Sequence, residues 1–247
     1  PSVVITASTG SAATKIEGIT LDRLMGFPGY FITPEEAALT NRQLRDKFQE
    51  VTTILIDEAS MLRIDKFENL NTRLQNIKKN KKPFGGLQII LVADFCQLQP
   101  VIGKNIQEKN AINKRYRGRI YAFESDVYKE ANITPFVLTK YLRQDNLVQQ
   151  KLLKKIRVGH DVERAVNEIN KLAKGTPSIE STYLCATNAL ADKINEERYQ
   201  AVKGLEHFFH AEKEGDYPTA NVNNTIKLKV GVRVIICANK PRSGYHN

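Results

Sequence analysis

Short apolar runs alternate with segments of helical periodicity along this chain. Most of the runs are rich in β-branched residues and lack an apolar–polar alternation, which is typical of strands covered on both faces of a parallel sheet. They lie at residues 3–5, 51–56, 87–92, 183–185 and 232–237. The alternation of strand-like and helical segments predicts an α/β fold built around a parallel sheet.

Three segments place apolar side chains every three or four residues, as one face of a helix does. They cover residues 61–77, residues 162–172 and a stretch that begins at Asn188. Residues 26–50 have no strong period and contain Pro28, Gly29 and Pro34. We therefore expect three helices and, at residues 26–50, a small insertion made of loops and a short helix.

The length of 247 residues allows one large domain or two small ones. Another strand-like run, at residues 136–138, precedes a polar stretch at residues 142–146. We place a domain boundary in that polar stretch. The predicted domains are residues 1–142, which include the insertion, and residues 143–247.

The charge is strongly basic. Lys and Arg number 37 against 27 for Asp and Glu, which gives a formal net charge of +10. Such an excess suits a polyanionic partner, with DNA or RNA as the first candidate. A basic enzyme without such a partner is the alternative. No apolar run approaches the roughly 18 residues of a membrane span, so we expect no membrane association.

The cysteines bear on the compartment. Cys96, Cys185 and Cys237 are far apart, odd in number and without metal-binding spacing. Each falls in an apolar run, which predicts buried free thiols in a reducing, intracellular compartment. That compartment is the cytoplasm for a prokaryotic or viral protein, and the nucleus or mitochondrion for a eukaryotic one.

A pair of carboxylates follows the second apolar run. Asp57 and Glu58 come directly after Ile54-Leu55-Ile56, so they are expected at the carboxyl edge of the sheet, where open α/β folds bind ligands. In nucleotide hydrolases the Asp of such a pair holds Mg²⁺, which prefers oxygen ligands, and the Glu polarises the attacking water. The alternative is a surface turn whose acidic residues favour the start of a helix.

A polar loop follows the next apolar run. The sequence from Asp94 to Val101 has the form D-x-x-Q-L-x-P, which places Asp94 and Gln97 beside the first carboxylate pair. A glutamine in that position can bond a γ-phosphate oxygen and report its loss after hydrolysis. An ordinary polar loop closed by Pro100 is the alternative.

These segments, in this order, resemble motifs Ia, II and III of superfamily 1B DNA helicases, and in particular the PIF family of 5′-to-3′ helicases. The resemblance extends over nearly the whole chain. The matching segments are 8–13, 57–62, 71–75, 82–88, 94–101, 121–125, 141–144, 186–195 and 229–234. It implies P-loop NTPase, RecA-like motor domains, with a parallel sheet and helices on both faces, and ATP bound in the cleft between the two domains.

The resemblance also implies roles for single residues. Asp57 would help to hold Mg²⁺, Glu58 would activate the water, and Gln97 would sense the γ-phosphate. Arg143 would act as an arginine finger that stabilises charge on the transferring phosphoryl group. The alternative for Arg143 is a surface arginine at the end of a strand.

DNA contacts are implied at two places. Ser8, Thr9 and Gly10 would lie along single-stranded DNA, because a small turn lets backbone N–H groups approach phosphates. Thr187 and Asn188 would begin a helix whose N-terminus faces a phosphate, or would only cap that helix. The implied partners are single-stranded and forked DNA, and the implied state is a monomer that moves 5′ to 3′.

Two departures from the family pattern matter. Asp22 stands where the family usually has a histidine, which puts the DNA contacts there in question. No G-x-x-x-x-G-K-[S/T] phosphate loop occurs in these residues, and we expect a motor truncated at both ends that hydrolyses little ATP alone. Two alternatives stay open: a catalytically silent nucleic-acid-binding module with a motor fold, and an ATPase that acts on proteins or on recombination complexes.

Overall fold

The computed structural model describes residues 2–103, 105–143, 145–173, 178, 181–211 and 224–235. The chain divides into two compact units, one within Pro1–Leu142 and the other within Arg143–Cys237. Each unit has its own helices and strands. Within the described residues, no helix is both long enough and apolar enough to cross a membrane.

The first unit contains a parallel four-stranded sheet. Its strands are β1 (Ser2–Ala7), β2 (Ile19–Thr20), β3 (Val51–Asp57) and β4 (Gln88–Leu91), in the order β2-β1-β3-β4. All three neighbouring pairs are parallel. The register sets Ala7 opposite Asp57, so β1 and β3 end at the same level. The predicted parallel α/β sheet is confirmed.

Within the described residues, seven α-helices accompany this sheet. They are α1 (Gly10–Lys15), α2 (Leu21–Met25), α3 (Pro34–Ala38), α4 (Arg42–Lys47), α5 (Ile64–Lys78), α6 (Ile106–Tyr116) and α7 (Asp126–Glu130). The helix predicted from the repeat at residues 61–77 is α5. The insertion holds two short helices rather than one, because α3 and α4 each begin at a good cap. Thr33 forms a capping box with Glu36, and Asn41 accepts the N–H of Leu44.

The core lies on one face of the sheet. Ile54 and Ile56 of β3 are fully buried, as are Phe67, Leu70 and Leu74 of α5. On the opposite face Ala7 packs against Ala12 and Ala13 of α1, but four larger apolar side chains remain exposed in the described part of the chain. Their exposed fractions are Val3 58%, Ile5 45%, Ile90 39% and Val92 45%. The non-alternating runs therefore predicted parallel strands correctly, but within the described residues one face of β4 and of the first part of β1 is left open, and α1 covers that face only at the end of β1.

A polar stripe on α5 holds the insertion against the helix. The Arg73 guanidinium donates to the carbonyl oxygens of Ala37 (2.5 Å) and Met25 (3.0 Å). The Asn69 amide donates to the carbonyl of Ile32 at 3.2 Å. These donors satisfy backbone acceptors that short helices and loops leave unpaired. These hydrogen bonds therefore hold the insertion against α5, although the sequence of the insertion has no strong helical or strand period.

A buried ion-pair network joins α5 to α6. Arg63 donates through Nε and Nη2 to the two carboxylate oxygens of Asp65, at 2.6 and 2.7 Å. Its Nη1 donates to Glu108 at 2.8 Å. The side chain of Asp65 is fully buried and that of Arg63 is 9% exposed. Removal of the guanidinium would leave a buried carboxylate without its partner.

We expect Arg63→Ala to lower the free energy of unfolding by about 3–5 kcal/mol, because breaking a buried pair strands the remaining charge. The matched control is Arg42→Ala, which removes an i,i+4 pair whose side chains are 91% and 65% exposed. That control is expected to cost no more than about 0.5 kcal/mol. Urea unfolding followed by circular dichroism measures both. A loss below about 1 kcal/mol for Arg63→Ala would contradict this account of the network.

In its described residues the second unit contains three α-helices and one antiparallel pair of strands. The helices are α8 (Leu147–Arg157), α9 (Val162–Leu172) and α10 (Asn188–Ala201). Strand β5 (His207–His210) pairs with β6 (Thr225–Leu228). Helices α9 and α10 confirm the two periodic segments predicted for this part of the chain.

The strands predicted for the second half were wrong in the described residues. Residues 183–185 and 232–235 form no strand, and neither does the run at 136–138. Leu184 is 99% exposed and Phe136 is 89% exposed. A strand needs a neighbour to accept its backbone hydrogen bonds, and none of these runs has one within the described part. Residues 236 and 237 lie outside the described residues.

Candidate functional site

Asp57 and Glu58 lie at the carboxyl end of β3, which is one of the two inner strands of the sheet. Glu58 adopts left-handed backbone angles, with φ 50° and ψ 37°. A residue other than glycine seldom adopts them without cost, and such strain collects at functional sites. The Glu58 N–H donates to Asp57 Oδ1 at 2.9 Å. Both side chains are half-buried, so their carboxylates stay accessible at the sheet edge.

The pair suits a magnesium ion bound with a nucleotide. Mg²⁺ prefers hard oxygen ligands and is usually held by one or two carboxylates together with substrate phosphates and water. Asp57 uses Oδ1 for the backbone, and its Oδ2 accepts no hydrogen bond from the described residues. No group of three or more metal-binding side chains occurs in the described part, so an all-protein metal cage is not formed there. The donor set fits Mg²⁺ carried by phosphates.

The turn after β1 is bonded to the carboxylate pair. The Ser8 N–H donates to the Asp57 carbonyl at 3.1 Å, and the Ser8 hydroxyl donates to the Glu58 carbonyl at 2.6 Å. Thr9 is the N-cap of α1, where its hydroxyl accepts the Ala12 N–H at 3.3 Å. Gly10 is the first residue of α1, and a Cβ placed there would meet no heavy atom within 4 Å. The structure therefore brings Ser8, Asp57 and Glu58 into direct contact.

The loop after β4 lies next to the same edge. The Ala59 N–H donates to the Val92 carbonyl at 2.9 Å, which connects the segment after Glu58 to the segment before Asp94. Asp94 shapes its own loop, because its two carboxylate oxygens accept the Cys96 N–H and the Gln97 side-chain amide, each at 3.1 Å. Gln97 is exposed and held by Asp94. The loop itself therefore sets the orientation of this amide.

The remaining predicted residues belong to the second unit. Arg143 is exposed at the start of that unit. Thr187 is the N-cap of α10 and accepts the Leu190 N–H at 3.3 Å, while Asn188 is the first residue of this helix. The capping function of Thr187 is confirmed. A phosphate contact at this N-terminus stays a prediction.

Asp22, where the family usually has a histidine, is paired with a lysine. Lys66 Nζ donates to Asp22 Oδ1 at 3.1 Å and to the Pro28 carbonyl at 2.8 Å. Lys66 is 8% exposed, so its charge is held in place. Asp22, Lys66 and Ser8 line the same pocket of about 170 Å³. The substitution therefore does not leave an isolated negative charge beside the Ser8–Gly10 turn.

Some basic side chains of the first unit are bonded to main-chain carbonyls of the protein itself. Lys78 Nζ donates to the carbonyls of Phe48 at 2.6 Å and Val51 at 2.9 Å. Tyr116, an aromatic residue within the basic segment at residues 114–119, is 3% exposed. Its hydroxyl donates to Glu68 at 3.0 Å, and burial, followed by the charge of Glu68, raises the pKa of Tyr116 above its usual range. Tyr116 is a core residue rather than a stacking platform.

The cysteine prediction was wrong in part. Cys96 is exposed in the loop after β4, and Cys185 is half-buried. Both are free thiols, as expected. Cys237 lies outside the described residues. The apolar run around Cys96 ends at the sheet edge, so the thiol projects from the loop instead of entering the core.

Sequence reasoning missed two features of this region. The first is the Ser8 hydroxyl bond to Glu58, for which no local pattern gives a signal because the residues are 50 positions apart. The second is the polar stripe of α5. Lys66, Asn69 and Arg73 are spaced by three and four residues, which is a helical period of polar side chains beside the apolar one. That second period was a usable signal.

Comparison with known proteins identifies the same family of helicases that the sequence motifs resemble. The model of the family described as PIF1-like helicase matches residues 1–176. The ATP-dependent DNA helicase Pif1 of Psychrobacter sp. (strain PRwf-1) is 27% identical over 264 residues, which cover 99% of this chain and 38% of that protein. The chain belongs to the PIF1-like helicase family. It spans about two fifths of the length of that relative.

Solved structures agree with this classification. The crystal structure of Bacteroides Pif1 bound to single-stranded DNA matches with a TM-score of 0.80 and 28% identity, over 99% of this chain and 58% of that one. The Bacteroides Pif1 complex with ADP-AlF3 and single-stranded DNA matches with a TM-score of 0.77 and 27% identity, with the same two shares. The predicted RecA-like motor fold is confirmed.

Proposed function

We propose that this chain is part of an ATP-dependent DNA helicase that moves 5′ to 3′ along single-stranded DNA. The observation that carries the proposal is the pair Asp57 and Glu58 at the carboxyl end of a central parallel strand, bonded to the turn that contains Ser8. The family membership supports it, as does the binding of single-stranded DNA by a similar Bacteroides protein. Forked DNA and a monomeric state belong to the same proposal.

The chemistry assigned to the residues is phosphoryl transfer to water. The water oxygen bonds to the γ-phosphorus as the bond from that phosphorus to the β–γ bridging oxygen breaks. Glu58 accepts the proton of the water, and ADP leaves with the bridging oxygen. Bound Mg²⁺ would neutralise charge on the phosphate oxygens, and Asp57 would hold it. Gln97, oriented by Asp94, would bond a γ-phosphate oxygen and change partner when phosphate leaves.

The test is the rate of ATP hydrolysis by the full-length gene product, with and without single-stranded DNA. Stimulation by DNA is expected, together with unwinding of forks that carry a 5′ single-stranded tail. Unwinding only from a 3′ tail would refute the proposed direction. DNA binding without turnover would instead favour the catalytically silent module, and turnover indifferent to DNA would favour an ATPase that acts on proteins.

Gly10→Ala tests the proposed DNA contact. A Cβ at this position has open space around it, so we expect stability to be unchanged or slightly higher. The affinity for a single-stranded oligonucleotide is expected to fall about tenfold, because the new methyl group keeps a phosphate away from the backbone N–H groups at the start of α1. Fluorescence anisotropy measures the affinity.

The matched control is Gly29→Ala. Gly29 has equally open surroundings and lies in the insertion. Its replacement is expected to change neither stability nor oligonucleotide affinity. Equal affinities for Gly10→Ala and the wild type would remove the proposed contact at the α1 N-terminus.

A further inference from the structure

Both the N–H and the hydroxyl of Ser8 donate hydrogen bonds to the end of β3 that leads into the carboxylate pair. Its N–H donates to the Asp57 carbonyl at 3.1 Å, and its hydroxyl donates to the Glu58 carbonyl at 2.6 Å. Ser8 is only half-exposed, and its hydroxyl proton is already committed to a protein acceptor. A direct hydrogen bond from this hydroxyl to a DNA phosphate would require breaking a short bond first. Thr9 and Gly10, which follow, make no such bond to the carboxylate pair.

The backbone around Glu58 needs to be held. Its left-handed angles are unfavourable for a residue with a side chain. Hydrogen bonds on both sides of Glu58 hold its backbone. They run from the Glu58 N–H to Asp57 Oδ1, from the Ser8 hydroxyl and the Met61 N–H to the Glu58 carbonyl, and from the Ala59 N–H to the Val92 carbonyl. Within the described residues, the Ser8 hydroxyl bond is the one that connects the Glu58 carbonyl to the turn at the start of α1. Without it, the Glu58 carbonyl keeps the local Met61 N–H as its donor, and the backbone that directs the carboxylate is no longer tied to that turn.

We propose that Ser8 is a positioning residue that couples the DNA-facing turn at Thr9 and Gly10 to the backbone of Glu58, and that it is not itself a DNA contact. This inference rests on the proposed function. A shift of the turn when DNA binds is transmitted through the Ser8 hydroxyl to the Glu58 carbonyl, and so to the orientation of the proposed base. The hydroxyl thereby makes hydrolysis depend on DNA.

The experiment compares Ser8→Ala with the wild type in the full-length gene product. DNA-stimulated kcat for ATP hydrolysis is expected to fall about 10- to 100-fold, as misplacement of a reacting group does. The KM for ATP and the affinity for a single-stranded oligonucleotide without nucleotide are expected to stay within about twofold, because neither depends on the direction of Glu58. Ser8→Thr keeps the hydroxyl and is expected to restore most of the rate.

The chain offers a matched control in the same pair of strands. The Thr52 hydroxyl donates to the Ser2 carbonyl at 3.4 Å, which also joins β3 to β1 but at the opposite end of the sheet. Thr52→Val removes that hydroxyl and is expected to leave the DNA-stimulated rate unchanged. Thermal unfolding of every variant separates a positioning effect from a loss of fold. If Ser8→Ala is unfolded, the comparison of Ser8→Thr with Ser8→Cys, which differ in the hydroxyl, takes its place.

The outcomes separate this inference from the proposed function. A wild type without DNA-stimulated hydrolysis removes the proposed function and the inference with it. A stimulated wild type whose rate is matched by folded Ser8→Ala overturns the inference alone. A loss of oligonucleotide affinity in Ser8→Ala without nucleotide also overturns it, because Ser8 would then be a direct DNA contact.

Discussion

Glu58→Gln is expected to lower the DNA-stimulated rate of ATP hydrolysis by about 10²- to 10⁴-fold, the range that a positioned general base contributes. Glutamine has nearly the same shape as glutamate but cannot accept the proton of the attacking water. The hydrogen bonds that fix this position use the main chain, through the N–H and the carbonyl of residue 58. The substitution therefore leaves them intact, and oligonucleotide binding should be retained.

The control for this experiment is Glu50→Gln. Glu50 is an exposed carboxylate just before β3, whereas Glu58 follows directly after the same strand. Glu50→Gln is expected to hydrolyse ATP at the wild-type rate. Steady-state assays with saturating single-stranded DNA measure both variants. A Glu58→Gln rate within about threefold of the wild type would exclude Glu58 as the general base.

The sequence predicted the carboxyl edge of the sheet in the first unit better than any other part of the structure. The run at residues 51–57 is mostly buried, leads directly into the carboxylates Asp57 and Glu58 and is followed by a strong helical period. The apolar character of this strand, the carboxylates at its end and the period of the helix that follows are all patterns of residues close together in the sequence. The carboxyl end of β3 was therefore predictable, and so was α5 behind it.

Long-range bonds were not predictable in the same way. The Ser8 hydroxyl reaches Glu58 across 50 positions, and Arg63 reaches Glu108 across 45. Both depend on which elements the fold sets side by side. A basic residue read alone suggests a solvent-facing or phosphate-binding charge, yet Arg63 and Lys66 are each 8% exposed. Their carboxylate partners decide their function, and those partners lie in distant segments.

The strands of the second unit show the limit of composition as a signal. An apolar, β-branched run indicates that a segment favours an extended and buried conformation, but it does not supply a neighbouring strand. Residues 183–185 have the preference without a partner in the described part of the chain. In contrast, β5 and β6 pair with each other, although both are largely exposed and neither belongs to a predicted run. Pairing rather than hydropathy decided which segments became strands.

Arg143→Ala is expected to lower the DNA-stimulated kcat for ATP hydrolysis by at least about 10³-fold, the lower end of what an arginine finger contributes. We propose that its guanidinium stabilises charge on the transferring phosphoryl group. Arg143 is exposed, and it makes no ion pair with another described residue. Its planar fork is therefore available for two phosphate oxygens at once. A charge that acts mainly in the transition state lowers kcat far more than it changes the KM for ATP.

Two further variants show what the side chain must supply. Arg143→Lys keeps the positive charge but not the fork, and should recover only a small part of the lost rate. Lys140→Ala, which removes an exposed cation three residues earlier, should hydrolyse ATP as the wild type does. If Arg143→Ala and Lys140→Ala had similar rates, Arg143 would be an ordinary surface cation. If Arg143→Lys restored the full rate, charge alone would be sufficient and the bidentate contact would be excluded.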